Sequence, residues 1–418
     1  MIDLRRLRDD DDYRQGAYRK GASVAAVEAL LAAEESRRTE LTAVEQLRAE
    51  ANAAAKDIGR AAPDERQAKI DAASELKAAL ASREELLNAA TDAVNGLVLE
   101  IPNPAHESVP DGGEDDFRIE RVVGEPGPVP AFDHAELMES LGVIDTERAV
   151  RMSGSRFAYV MGDAVRLQFA LIQWALAKLS GHGFIPVVTP VLVREEMMEL
   201  AGFFPTDRSQ VYALPDDDLY LIGTAEVGLA GLHRGERLEG DELPVRYAGY
   251  SSCFRREAGT YGKDTRGLFR VHQFDKVEMF SYTSADKSWD ELELLRSLQE
   301  EIVGELELPY RVITVAAGDL GAPAAKKYDI EVWLPSEQRY RELTSCSNYL
   351  DYSARRMGTR VRGDDGTALA HTLNGTACAI GRTLLFLFEN HQQDDGSVIV
   401  PAALRPFCGG LERISPKA

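Results

Sequence analysis

The chain has 418 residues, 44% of them hydrophobic, enough to bury a large core and to divide into two or more domains. Lys and Arg total 48 against 69 Asp and Glu, a net charge of −21; this excludes indiscriminate nucleic-acid binding, which phosphate neutralisation drives, so any such contact must be local. Cys253, Cys346, Cys378 and Cys408 lack C-x-x-C spacing, arguing against a disulfide framework or zinc cluster and for small buried residues; with no membrane-length apolar run and no apolar leader, the expected location is the cytoplasm, away from any membrane.

Residues 24–98 are rich in Ala, Glu, Leu, Lys and Arg, with breakers only at Gly59, Pro63 and Gly96. They predict two long helices and a tight turn. Positions 27, 30, 34, 37, 41, 44, 48, 51, 55 and 58 form a heptad seam interrupted by polar residues. A second seam, Ile70, Ala73, Leu76, Leu80, Arg83, Leu87, Ala90, Val94 and Leu97, faces it antiparallel. At about 1.5 Å per residue such helices make an arm roughly 50 Å long. On pattern alone it is either a dimerisation coiled coil or a nucleic-acid probe.

Residues 100–130 hold six prolines and the acidic run Glu114-Asp115-Asp116, and read as an extended linker. An amphipathic helix is expected over 161–179 and a strand ending in proline over 184–190. Short β-prone runs at 247–254, 276–282 and 311–315 mix with a helix near 290–306. Hairpin-joined strands imply an antiparallel sheet, and no G-x-G-x-x-G or Walker loop appears, so the body is α+β.

Residues 250–280 carry the densest signal. Apolar, β-prone ends flank a Gly-broken loop bearing Arg255, Arg256, Lys263, Arg266 and Arg270. Guanidinium groups grip phosphate oxygens bidentately, so a cationic loop between two rigid strands suits a nucleotide. Glu257, Glu278 and the run His272-Gln273-Phe274 go beyond what a solvated hairpin needs.

This stretch resembles motif 2 of class II aminoacyl-tRNA synthetases, in the form found in bacterial-type seryl-tRNA synthetases. Thr224-Ala225-Glu226 resembles that family's amino-acid loop, and Asn374-Gly375-Thr376 through Gly381-Arg382-Thr383 and Glu389-Asn390 resembles motif 3. Similarity extends to residues 101–110 and 326–348, so it covers nearly the whole chain. The helix and strand over 161–190 resemble motif 1, which implies a homodimer. The resemblance implies an N-terminal tRNA-binding domain, 1–105, with a helical hairpin arm over about 24–98, and a catalytic domain, 106–418. That domain would be an antiparallel sheet flanked by helices.

The implied activity is ATP-dependent formation of seryl-adenylate and pyrophosphate, then transfer of serine to tRNA(Ser) and, where present, selenocysteine tRNA. By the same resemblance Arg255 holds the α-phosphate and the serine carboxylate, Glu257 the adenine amino edge, Phe274 the ring face and Arg382 the γ-phosphate. Arg256 and the run Glu342-Leu343-Thr344-Ser345 complete the ATP set, and Glu342 and Ser345 would bind Mg2+. Thr224, Ala225, Glu226, Glu278 and Thr376 would bind serine. Thr376 and Ala377 replace the Ser and Gly more usual there, and Gly228 stands where many relatives have Pro. His233, His272 and His371 do not repeat the zinc arrangement of threonyl-type relatives, so no zinc is expected. The arm would meet tRNA through some of Arg37, Arg38, Arg48, Lys56, Arg60, Arg66, Lys69 and Lys77. A ligase charging a carrier protein and a scaffold without catalysis are the competing readings; the arm argues against the first and the intact site set against the second.

Overall fold

Helix-forming composition and capping residues govern the first quarter of the chain. The computed structural model describes residues 1–259, 266–363 and 366–416. Residues 1–104 and 105–418 form two compact units. In the first, Asp3 and Asp10 accept N–H bonds that open short helices at Leu4–Asp9 and Asp11–Arg19. Ser23 caps α1 (Val24–Ile58) in the same way, and a short turn through Gly59 and Pro63 leads into α2 (Arg66–Val98). The two pack along their length as a hairpin.

The seam departs from the sequence expectation in one respect. Val27, Leu30, Glu34 and Val44 are buried, but Arg48, Ala55 and Ile70 lie outside, and Leu47 and Ala54 turn inward instead. The cause is chemical: the Arg48 guanidinium stays in solvent, where it pairs with Glu84 at 2.7 Å, and the apolar residue one position earlier covers the partner helix. Arg83, also assigned to the seam, bridges to Glu40 at 2.9 Å on the exposed rim.

The second unit is built on an eight-stranded sheet. In chain order its elements are β1 (Arg118–Val123), α3 (Asp163–Gly181), β2 (Ile185–Val188), β3 (Val245–Phe254), β4 (Gln273–Thr283), α4 (Ser288–Glu305), β5 (Tyr310–Thr314), β6 (Lys326–Leu334), β7 (Arg339–Asn348), β8 (His371–Ala379) and α5 (Ile380–Asn390). The spatial order is β1-β5-β6-β7-β8-β4-β3-β2, antiparallel throughout except for the parallel edge pair β2/β3. Alternation along β4 sorts its side chains. Val277 and Met279 join a core with Leu171 and Trp174 of α3, Leu295 and Leu298 of α4, and Leu384 and Phe388 of α5; Phe274, Lys276 and Glu278 line clefts. Burying each such leucine or phenylalanine stabilises by about 1.5–3 kcal/mol.

The expected linker is corrected by the sheet. Within 100–130 the run Arg118–Val123 pairs with Tyr310–Thr314, while Ala105 and Val109 pack with Val315, Ala317 and Tyr349. The strand hides in the sequence because it is an edge exposed on both faces, so no apolar alternation marks it. All four cysteines are buried and free. No helix among the described residues is long and apolar enough to cross a membrane.

Candidate active site

Two β-bulges shape the cleft side of the sheet. Between β6 and β7 the register shifts so that Ile330 meets Thr344 and Glu331 meets Glu342, leaving Leu343 as the extra residue. Glu342 and Ser345, three apart, would face opposite ways on a regular strand; the bulge brings both to one cleft. Between β4 and β8, Val277 meets Cys378 and Glu278 meets Thr376, so Ala377 is the extra residue. Sequence pattern reports neither bulge.

Arg255 stands just past the end of β3, at the centre of the site. Its N–H donates to the His272 carbonyl at 3.0 Å and its Nε to the Gly223 carbonyl at 3.3 Å, while His272 Nδ1 lies 2.9 Å from the Arg255 oxygen. These contacts tie the arginine to the Thr224–Ala225–Glu226 loop and give His272 a structural task. The guanidinium sits 5.3 Å from the Phe274 ring centroid. Glu257 has φ +49°, a left-handed conformation that costs a non-glycine residue about 1 kcal/mol. It pairs with Arg270 at 2.6 Å, and the Gln210 side chain bonds both ends of Ala258 beside it. Glu257 and Ala258 are thus held in place by protein contacts.

Two adjoining clefts open from Arg255. One is lined by Glu257, Phe274, Glu342, Leu343, Thr344 and Arg382. The other is lined by Thr224, Glu226, Glu278, Asn374 and Tyr349. They share Arg255, Lys276, Ser345 and Thr376. Arg382, from α5, reaches across the first cleft to the Glu342 carbonyl at 3.1 Å and to its carboxylate at 3.3 Å. Burial would raise the Glu342 carboxyl, but Lys327, Arg382 and Arg255 together hold it down at about 2.

In the second cleft the Thr224 hydroxyl donates to Glu278 Oε1 at 2.7 Å, and Lys276 forms an ion pair with the same oxygen. Glu278 is 1% exposed, and its Oε2 has no hydrogen-bond partner among the described residues. A buried acceptor without a protein partner, on the lining of a polar cleft, calls for a water, an ion or a ligand group. Burial pushes the Glu226 carboxyl up to about 7, Glu278 adds to the rise, and a Tyr349 hydrogen bond opposes it. Gly228 has a local explanation: a Cβ there would lie 2.9 Å from the Thr189 Cβ.

Not every expected residue reaches the clefts. Arg256 is exposed and Ala225 buried, and neither lines either cleft. Arg266 turns toward Asp133 and Glu136, at 3.6 and 3.5 Å. Lys263 lies outside the described residues. Sequence reasoning overlooked Lys276, although its place between Phe274 and Glu278 on an alternating strand was a usable signal. It also gave no role to Lys327 and Asn374, although both lie in segments that carry the resemblance, and it overlooked Tyr349, for which no local pattern speaks. His233 bonds Glu236 and Tyr247, and His371 lies 2.9 Å from the Ser288 hydroxyl.

Residues 1–105 match the family model described as Seryl-tRNA synthetase N-terminal domain, and residues 211–391 match tRNA synthetase class II core domain (G, H, P, S and T). The chain is 47% identical over 425 residues to Serine--tRNA ligase 1 of Streptomyces avermitilis, covering 100% of both. It is 50% identical over 410 residues to the Serine--tRNA ligase of Mycolicibacterium smegmatis, covering 97% of this chain and 98% of that one. The crystal structure of seryl-tRNA synthetase from Pyrococcus horikoshii complexed with ATP superposes with a TM-score of 0.93 at 37% identity, over 100% of both chains.

Proposed function

The chain belongs to the seryl-tRNA synthetase family, and on that premise we propose that it activates L-serine with ATP. The products are seryl-adenylate and pyrophosphate, and serine then passes to tRNA(Ser) and, where the cell has one, to selenocysteine tRNA. One observation carries this reading: two clefts, one cationic and one rich in carboxylates and hydroxyls, meet at Arg255.

Activation is attack of a carboxylate oxygen on the α-phosphorus with pyrophosphate leaving, a reaction limited by positioning and by charge. An ionised carboxylate needs no general base. Arg255, at the seam, holds the serine carboxylate against the α-phosphate and neutralises charge that grows in the transition state. Glu257 meets the adenine edge, Phe274 the ring, and Arg382 the γ-phosphate. Glu342, held ionised, and Ser345 fit a magnesium ion, which commonly takes one or two protein oxygens and completes its shell with phosphate and water. When bound, that ion neutralises triphosphate charge. Thr224, Glu226, Glu278 and Thr376 receive the serine ammonium and hydroxyl; a site built to bond a hydroxyl rejects alanine by roughly 10⁴.

The reading assigns tRNA recognition to residues 1–105 and the chemistry to 106–418, in the cytoplasm. It makes the protein a homodimer, supported by exposed Phe169 on α3 and exposed Ile185 and Val188 on the edge strand β2. Amino-acid-dependent pyrophosphate exchange with serine, threonine, alanine and glycine tests the core of it. Serine alone should sustain exchange; equal exchange with another amino acid, or none with serine, contradicts it.

A further inference from the structure

The sheet divides where the two clefts meet. Strands β7 and β8 pair through Cys346/Gly375, Ser347/Asn374 and Asn348/Leu373, and their pairing stops there. Ser345 and Thr376, the next residues of each strand, pair outward with Asp329 and Glu278 but not with each other, and both line the nucleotide cleft. A backbone carbonyl left without a donor where two strands part inside the protein is costly.

From the opposite face of the sheet, α4 delivers Gln299, which is 0% exposed. Its Nε2 donates to the Ser345 carbonyl at 2.6 Å and to the Thr376 carbonyl at 2.8 Å. Both acceptors are carbonyls, so only the NH₂ end of the amide can occupy this place, and its two hydrogens match them. The Gln299 Oε1 has no hydrogen-bond partner among the described residues. The amide is therefore retained in the core for its two donors, at the expense of an unpaired acceptor.

We propose that Gln299 is a positioning residue that sets the spacing between the magnesium strand and the serine strand by bridging their backbones at the fork. It touches neither substrate. Through Ser345 it fixes one wall of the nucleotide cleft, and through Thr376 it fixes the residue shared with the serine cleft. The inference rests on the serine-activation reading, because only that reading makes the Ser345–Thr376 separation matter to the chemistry. A displacement of about 1 Å at such a place can cost on the order of 10²-fold in rate.

Two substitutions separate bridging from packing. Gln299→Met keeps the volume and removes both donors. Gln299→Ala leaves a cavity beside two carbonyls, where a water molecule has two donors of its own to offer. A bridging role predicts that the alanine variant outperforms the methionine variant, with kcat/KM for serine in pyrophosphate exchange about tenfold or more lower for methionine and the KM for both serine and ATP raised. A packing role predicts the reverse order, because alanine loses the larger contact. Gln299→Glu supplies a third arm, with the glutamine shape but no donors while ionised. Protonated, it has one donor for two carbonyls, so in neither state can it bridge both, and it should raise the serine and ATP KM as the methionine variant does. Activities are read per folded molecule by circular dichroism and active-site titration. Methionine equal to or better than alanine, or a glutamate variant with wild-type KM values, overturns the proposal. If methionine does not fold, the glutamate comparison decides. Should the wild type itself fail to exchange with serine, the fault lies with the functional reading and not with Gln299.

Discussion

The 35 residues of α1 bury four side chains, whereas the 11 residues of α5 bury eight. The two units of this molecule are thus held together by different means. The hairpin takes its form from helix propensity, caps and a thin seam rich in alanine, with rim pairs such as Arg48–Glu84 and Arg83–Glu40. The body takes its form from dense packing around a sheet whose bulges aim individual side chains. A recognition element that meets phosphates needs reach and tolerates imprecision. A site that moves a phosphoryl bond needs side chains held within about half an ångström.

That contrast can be probed by substitutions of decreasing severity. Arg255→Ala should lower serine-dependent exchange by about 10²–10³ with unchanged circular dichroism; near-normal turnover in the folded variant would remove Arg255 from its role. Leu385→Ala, in the fully buried core, should cost 2–5 kcal/mol, about, in chemical denaturation. Leu41→Ala, half-buried in the arm, should cost about 1 kcal/mol or less, and equal costs would break the contrast.

Glu226 supplies a pH signature. The folded protein keeps its proton up to about pH 7, while the unfolded chain releases it near 4.5. Its contribution to stability is therefore most favourable below the lower value and is lost as pH rises toward the upper one, by an amount on the order of 1–3 kcal/mol. Glu226→Gln should remove that slope from the thermal midpoint. In the wild type, serine KM should fall as pH rises through 7, because the ionised carboxylate receives the ammonium, whereas ATP KM should stay level. Identical pH profiles for the wild type and the glutamine variant would contradict this. Smallest of all, a double-mutant cycle on Arg48 and Glu84, both exposed, should give less than about 1 kcal/mol.

Legibility followed the same division. The long helices, the motif strands and the α+β class were readable, because period and breakers record burial directly. The expected strand over 276–282 was found at Gln273–Thr283, and the helix near 290–306 at Ser288–Glu305. Resemblance supplied Arg255, Glu278, Glu342 and Arg382, and all four line the clefts. Four kinds of feature were missed. The edge strand Arg118–Val123 lacks apolar alternation. The helices after Asp3 and Asp10 were overlooked although both aspartates are readable N-caps. Tertiary neighbours such as Lys327, Tyr349 and Gln299 come from distant segments, and the bulges at Leu343 and Ala377 depend on strand pairing that one chain of letters does not display.

The central claim, that one unit selects the nucleic acid and the other performs the chemistry, is tested most directly by removing the hairpin. Residues 24–98 are replaced with a short linker, and serine-dependent pyrophosphate exchange and aminoacylation of tRNA(Ser) are measured side by side with the parent. The account predicts exchange close to the parental rate and a collapse of aminoacylation. In the intact protein, tRNA binding should weaken with rising salt, with a slope set by the few basic residues engaged and not by the acidic whole. Aminoacylation undiminished by loss of the hairpin would contradict the account and make the arm a spacer or a dimerisation device.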